Sequence, residues 1–304
     1  MARIMCIGHA VQDFVFGVPA LPKEGRKFRA TRFESVGGGP AATAAVAISR
    51  LGGVASLAAR VGDDPIADAI IAELQVYGVR CEAVRKFPGR ASSLSAVMVD
   101  DDGERMIVNY RDDQLPADAS WLPTGLTGVC EAVLADTRWP EGAAAGLLAA
   151  RRSKLPGVLD ADAPVPDNQF LLSAASHVAF SADGLTGLME TEDLREGLSR
   201  FHARYGVWCC VTDGARGVLC IDGGKFSSVG AYRAEVVDTL GAGDVWHGAF
   251  ALALGEGAGE PDAVRFASAA AAIKVARIGG RRGAPDRAEV DRFMMANEPM
   301  EPMI

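Results

Sequence analysis

Over most of its length the chain alternates short apolar runs with alanine-rich amphipathic segments, and that alternation leaves few folds open. Runs too short for helices and bounded by turn residues read as strands buried on both faces, and the segments between them read as crossover helices. The candidate strands are Ile4–Ile7, Ala55–Ala59, Ala132–Ala135, Gly157–Asp160, His177–Phe180 and Trp208–Thr212. A helix is expected from Pro40 in "PAATAAVAISRLGG", where proline suits a first turn, glycines follow the last one and alanines allow close packing on a sheet. "DPIADAIIAELQVYG" from Asp64 reads as a second amphipathic helix, ended by Gly78. The pattern predicts an α/β fold with a mostly parallel central sheet covered by helices.

Two stretches break the alternation. "SSLSAVMVDDDGERMIVNY", Ser92 to Tyr110, reads as two strands joined at an Asp-Gly turn, and residues 14–36 add strand-like pieces around Pro19 and Pro22. Together they predict a small β-sheet projecting from the body and able to cover a cleft. No internal repeat or long linker appears.

Composition removes several classes of function. With 304 residues and 49% hydrophobic side chains, the chain has ample material for a sizeable core. A net charge of −8, from 31 Lys plus Arg against 39 Asp plus Glu, disfavours nucleic acid and anionic membranes as partners. An anionic substrate would need a local basic pocket. The six cysteines lie mostly in apolar runs without metal-type spacing, which predicts buried thiols, with the adjacent Cys209 and Cys210 on opposite strand faces. The chain starts on strand-like "RIMCIG", with no basic region and apolar signal segment before it, and a cytoplasmic location is expected.

"EVVDTLGAGDVWHGAF", Glu235 to Phe250, sets a β-branched run against a glycine turn and the turn against a helix carrying Asp244 in its first turn. Such a turn presents free N–H groups at the positive end of a helix dipole, where charge on a transferring phosphoryl group would be stabilised. Asp244 either caps the helix or accepts a proton from an attacking hydroxyl.

With "VGGGPAATAAVAISRLGG", "ARVGDDP" and "VTDGARG" in order before it, this segment resembles the ribokinase-like, PfkB-type sugar kinases over essentially the whole chain. The resemblance implies a single domain over residues 1–304, a three-layer α/β/α body whose lid comes from about 14–36 and 88–112. It implies transfer of the ATP γ-phosphate to a sugar hydroxyl, with Asp244 as base and Gly241, Ala242 and Gly243 as anion hole. Thr212, Gly214, Gly217 and Lys274 match nucleotide contacts, and Asp13, Gly38 and Gly39 match sugar contacts. Asp238, with the loop Lys274 to Gly283, matches a monovalent-cation site, so the cofactors implied are ATP, Mg2+ and K+. In similar kinases the lids often pair two subunits, and a homodimer is expected.

Two departures stand out. Ala42 occupies a position where the family commonly has a sugar-binding Asn, and "SADG" (Ser181 to Gly184) replaces the usual magnesium-organising N-x-x-E. Asp183 and Asp162 remain as carboxylates able to act through water. "GERMIVNY", "LADTRW" and "FASAAAAIKVARIGGRRGAPD" resemble the kinases of 6-deoxy-6-sulfofructose, which implies a sulfonate held by Lys27, Asn109 and Arg138. A sulfonate has three acceptor oxygens and a fixed charge, suited to a guanidinium fork, an ammonium and an amide.

Each residue also has a plainer explanation. Lys27 could be a solvated charge, Asn109 a strand end, Arg138 a salt bridge to Asp136, and Asp13 a turn cap. His9 and His247 are expected to pack rather than exchange protons. Rival functions are a kinase for fructose, another ketose or a ketose 6-phosphate, and a sugar-binding regulator on a kinase scaffold.

Overall fold

The computed structural model describes residues 1–102 and 104–303. Among the described residues thirteen strands alternate with nine α-helices. In chain order the strands are β1 (Arg3–Gly8), β2 (Val11–Gly17), β3 (Arg32–Gly38), β4 (Val54–Gly62), β5 (Arg80–Phe87), β6 (Leu94–Val99), β7 (Arg105–Tyr110) and β8 (Ala132–Asp136). They continue with β9 (Gly157–Ala161), β10 (His177–Ser181), β11 (Trp208–Thr212), β12 (Val218–Asp222) and β13 (Lys225–Val229). The helices are α1 (Pro40–Arg50), α2 (Pro65–Val76), α3 (Pro140–Arg152), α4 (Gln169–Ala174), α5 (Ala182–Met189), α6 (Leu194–Tyr205), α7 (Ala242–Gly255), α8 (Glu260–Val275) and α9 (Arg287–Ala296).

Nine strands form one sheet in the order β13-β12-β11-β10-β9-β8-β1-β4-β5. Its strands run parallel from β5 to β11, and β12 and β13 add an antiparallel edge. The predicted strands lie here because both their faces are covered, which is why they read as unbroken apolar runs. One core joins the sheet to α1, α2, α7, α8 and α9; the other joins it to α3, α4, α5 and α6. Cys210 belongs to the first core and Cys209 to the second, as strand alternation requires. All six cysteines are free and buried.

Local chemistry sets the helix starts. Pro40 opens α1, and the Asp64 carboxylate caps α2 by accepting the Ala67 N–H at 2.8 Å. Asp64 also accepts the Ser92 N–H at 2.7 Å, tying α2 to the chain entering the second sheet.

That second sheet has the order β3-β2-β6-β7, with β2 and β6 parallel and the outer pairs antiparallel. It is the expected lid, with β2 starting at Val11 and β3 reaching Gly38. Pro19 and Pro22 fall in the loop between β2 and β3 rather than in strand, since proline has no N–H for a ladder. The expected Asp102-Gly103 turn has Gly103 outside the described residues.

Candidate active site

Helix α7 begins at the glycine turn, with Gly241 at a φ of 75° as its N-cap. That left-handed backbone suits glycine, and it turns the chain from the loop into the helix axis. No side chain caps α7, so the cap explanation for Asp244 does not hold. Within the turn the Ala242 N–H donates to the Thr239 carbonyl at 3.1 Å. The first-turn N–H groups of Gly243 and Asp244 have no acceptor within the helix and remain for an anion.

The Asp244 carboxyl is pushed up to about 7, first by burial and then by the neighbouring Asp160 carboxyl. Asp160 is itself buried and raised by burial and by Asp136. Its Oδ2 lies 3.4 Å from His247 Nδ1, one turn along α7 from Asp244. His247 Nε2 is 3.3 Å from the Ala179 carbonyl, and burial holds the ring below its ordinary pKa. His247 is therefore packed against the sheet, as expected, while Asp160 is a site carboxylate that sequence reasoning overlooked.

A cleft of about 510 Å³ lies along α7, bordered by Thr212, Gly214 and Gly217 on one side and Ala242 and Gly243 on another. Trp246, Ala271 and Val275 give it an apolar wall. Three of the four expected nucleotide residues meet the glycine turn there. Lys274 does not: its side chain is fully buried and its Nζ donates to the Asp238 carbonyl at 2.7 Å, which removes it from the nucleotide set.

The residues expected to contact the sugar lie across the lid and at its junction with the body. Asp13 pairs in register with Ser95, and Ser95 with Asn109, so the three lie in one row of β2, β6 and β7. Asn109 donates to Ser95 Oγ at 2.7 Å. Gly38 is required at close quarters, since a Cβ there would lie 2.3 Å from the Asp13 carboxylate. Arg138 follows β8 and donates through Nη2 to the Ala163 carbonyl at 2.7 Å, with Asp162 at 3.5 Å. Lys27 sits exposed on the loop between β2 and β3 and, among the described residues, forms no hydrogen bond or ion pair with Asn109 or Arg138.

Asp136 organises this side. Its buried carboxylate accepts N–H groups from His9 at 2.7 Å, Ala41 at 3.0 Å and Arg138 at 2.8 Å. One side chain thus joins the end of β1, the start of α1 and the residue beyond β8. The expected Arg138–Asp136 link is made by the Arg138 backbone rather than its guanidinium. An acidic residue closing an apolar strand was the available signal.

Asp238 does not fit a monovalent cation. Its Oδ1 accepts the Leu240 N–H at 2.9 Å and Arg105 Nη2 at 2.7 Å, and its Oδ2 accepts the N–H groups of Gly279 at 3.0 Å and Gly280 at 3.2 Å. Burial alone would raise this carboxyl, yet these donors with the Lys274 charge hold it at about 2. Both oxygens are filled by N–H donors. Among the described residues no group of three or more His, Cys, Asp or Glu is arranged to hold a metal.

A glycine turn at an uncapped helix start, a buried carboxylate beside it and a small second sheet suit an ATP-dependent sugar kinase. The chain belongs to the pfkB family of carbohydrate kinases, whose family model matches residues 1–287. It is 29% identical to the ribokinase of Bacillus subtilis (strain 168) over 97% of this chain and 100% of that one. The crystal structure of a ribokinase-like protein from Agrobacterium tumefaciens superposes with a TM-score of 0.92 at 37% identity, covering 97% of this chain and 98% of the other. The Arabidopsis thaliana ribokinase, solved with ribose and ATP, gives 0.85 at 26% identity, covering 96% and 98%. No described helix is long and apolar enough to cross a membrane.

Proposed function

We propose that this kinase phosphorylates the C1 hydroxyl of a ketose bearing an anionic group at C6, with 6-deoxy-6-sulfofructose the substrate that fits best. The observation that carries the reading is a cavity of about 80 Å³ at the carboxyl end of β1, bordered by His9, Ser93, Arg60, Arg111 and Arg138. Arg60 stacks on Trp139 at 4.9 Å and donates to the Pro116 carbonyl at 2.9 Å, while Arg111 donates to the Arg138 carbonyl at 3.3 Å. Asp112 and Asp113 also border the cavity, and Asp112 accepts the N–H groups of Ala91 and Gln114. Burial, with the charges of Arg111, Arg138 and Arg60, pushes His9 down to about 3, so its ring adds no charge. Guanidiniums gathered at one wall repel each other, and an incoming sulfonate relieves that repulsion while offering them three acceptors.

In this reading Asp13 holds sugar hydroxyls and Asp244 takes the proton of the attacking one; Asn109, expected on the sulfonate, bonds Ser95 in the row of Asp13 and does not border the arginine-lined cavity, so it is assigned to the sugar instead. Gly243 and Asp244 N–H groups, at the positive end of α7, stabilise the transferring phosphoryl. Magnesium bound with the nucleotide would neutralise phosphate charge, and Asp162 and Asp183 are the carboxylates that would hold it through water. The row through Ser95 and the Asp136 tether fix the sugar's orientation, and orientation carries most of the rate in phosphoryl transfer.

The test is the ratio of kcat/KM for sulfofructose over that for fructose. Arg138→Ala should lower this ratio roughly 10- to 150-fold, the loss expected for charge-assisted hydrogen bonds. Arg138→Lys should restore it only in part, because an ammonium lacks the planar fork. Equal losses on both sugars would make Arg138 structural and return the reading to a neutral-sugar kinase. Fructose 6-phosphate in the same assay separates a sulfonate site from a phosphate site.

A further inference from the structure

Lys274 is a fully buried lysine that neither the nucleotide cleft nor the sugar side uses. It sits on the last turn of α8, and its Nζ faces three oxygens: the Asp238 carbonyl at 2.7 Å, the Arg277 carbonyl at 3.4 Å and Asp238 Oδ2 at 3.4 Å. Three acceptors around one nitrogen match the three donors of an ammonium. Burial pulls the lysine below its ordinary pKa, and the Asp238 charge opposes that pull. The same carboxylate holds Leu240, Gly279 and Gly280 through their N–H groups, and Asp238 opens the loop that becomes the Gly241 turn. The cage is built from a carboxylate and two carbonyls, the donor set that takes a hard cation, and a tethered ammonium fills it.

We infer that Lys274 is a built-in cation: its ammonium holds the Asp238 loop, and through it the phosphate-accepting start of α7, without an alkali ion. The inference is independent of whether the sugar is anionic. Lys274 is a positioning residue, acting through Asp238 on the backbone that meets the phosphoryl group. A free cation could not enter beside it, because the ammonium already occupies the space among the three oxygens.

The experiment measures kcat in chloride salts of tetramethylammonium, sodium, potassium and ammonium at one ionic strength. The wild type should vary by no more than about twofold, because its cation is covalently attached. Lys274→Ala empties the cage and leaves its oxygens, and should lose roughly 10- to 100-fold in tetramethylammonium. Potassium or ammonium should restore most of that loss and raise the variant's melting temperature, leaving the wild type's unchanged. Lys274→Met fills the space without charge and should be rescued by none of the salts. Wild-type activity that rises roughly tenfold on adding potassium would overturn the inference. So would a folded Lys274→Ala that is indifferent to the salt, or a Lys274→Met that potassium rescues. The wild-type arm decides the question even where a variant fails to fold.

Discussion

As the proposed base, Asp244 would be kept ready to accept a proton by being denied water, and this has two measurable consequences of opposite sign. Its carboxyl rises to about 7, so the base form is lost below neutrality and kcat/KM should climb through an acid limb near that pH. Asp244→Asn preserves the volume and should reduce turnover by ~10² to 10⁴ with the fold intact. For stability, the folded state binds a proton that the unfolded chain releases at an ordinary carboxylate pKa. Stability from this residue is therefore present at low pH and is lost as pH rises from the ordinary carboxylate range to about 7. Asp244→Asn should raise the melting temperature more at pH 8 than at pH 5. A variant that melts with the wild type at both values, and turns over as fast, would remove Asp244 from the chemistry.

Between elements, one contact that joins lid to body is the pair formed by Arg105 on β7 and Asp238 before α7, at 2.7 Å. It brings the strand carrying Asn109 to the loop that shapes the phosphate-accepting turn. Arg105→Ala leaves Asp238 paired with Lys274, so the fold should persist while kcat/KM for the sugar falls about 10-fold or more, chiefly through KM. A loss confined to kcat would assign Arg105 to the turn rather than to lid closure. Elements buried on both sides were legible as apolar runs: β1, β4 and β8 to β11 lie where their residues read as strands. Edge strands were not, because β5, "RCEAVRKF", is charged along its length. The β12–β13 hairpin was missed despite its Gly223-Gly224 turn, a readable signal. In the site, Asp244, Thr212 and Gly214 sit in local motifs and were readable. Asp136, Asp160, Arg60 and Arg111 are scattered in sequence: the first three lie toward the carboxyl ends of parallel strands of the large sheet, and Arg111 comes from the end of the lid strand β7. Lys274 was read as a nucleotide contact because only packing reveals that its side chain turns inward.

For the molecule as a whole, the lid poses a question that the body does not. Strand β7 is an edge of the small sheet, and all six of its residues are exposed, among them Met106, Ile107, Val108 and Tyr110. Phe33 on β3, the opposite edge strand, is 57% exposed, although its ring packs against Phe16 at 5.2 Å. An edge strand with this much apolar surface and an unpaired ladder is a template for another chain unless it is covered. A second copy of this chain, lid against lid, is the occupant we propose, since two identical edges satisfy one another about a twofold axis. Light scattering at micromolar protein should return twice the chain mass. Val108→Lys, on an exposed position, should shift it to one chain without unfolding. Because β7 also carries Asn109 and Arg105, separating the copies should weaken sugar binding as well, raising KM in Val108→Lys in parallel with the loss of dimer. A wild type that stays a single chain at micromolar concentration, or a monomeric variant with wild-type KM, would cut the link between the paired lid and the sugar site.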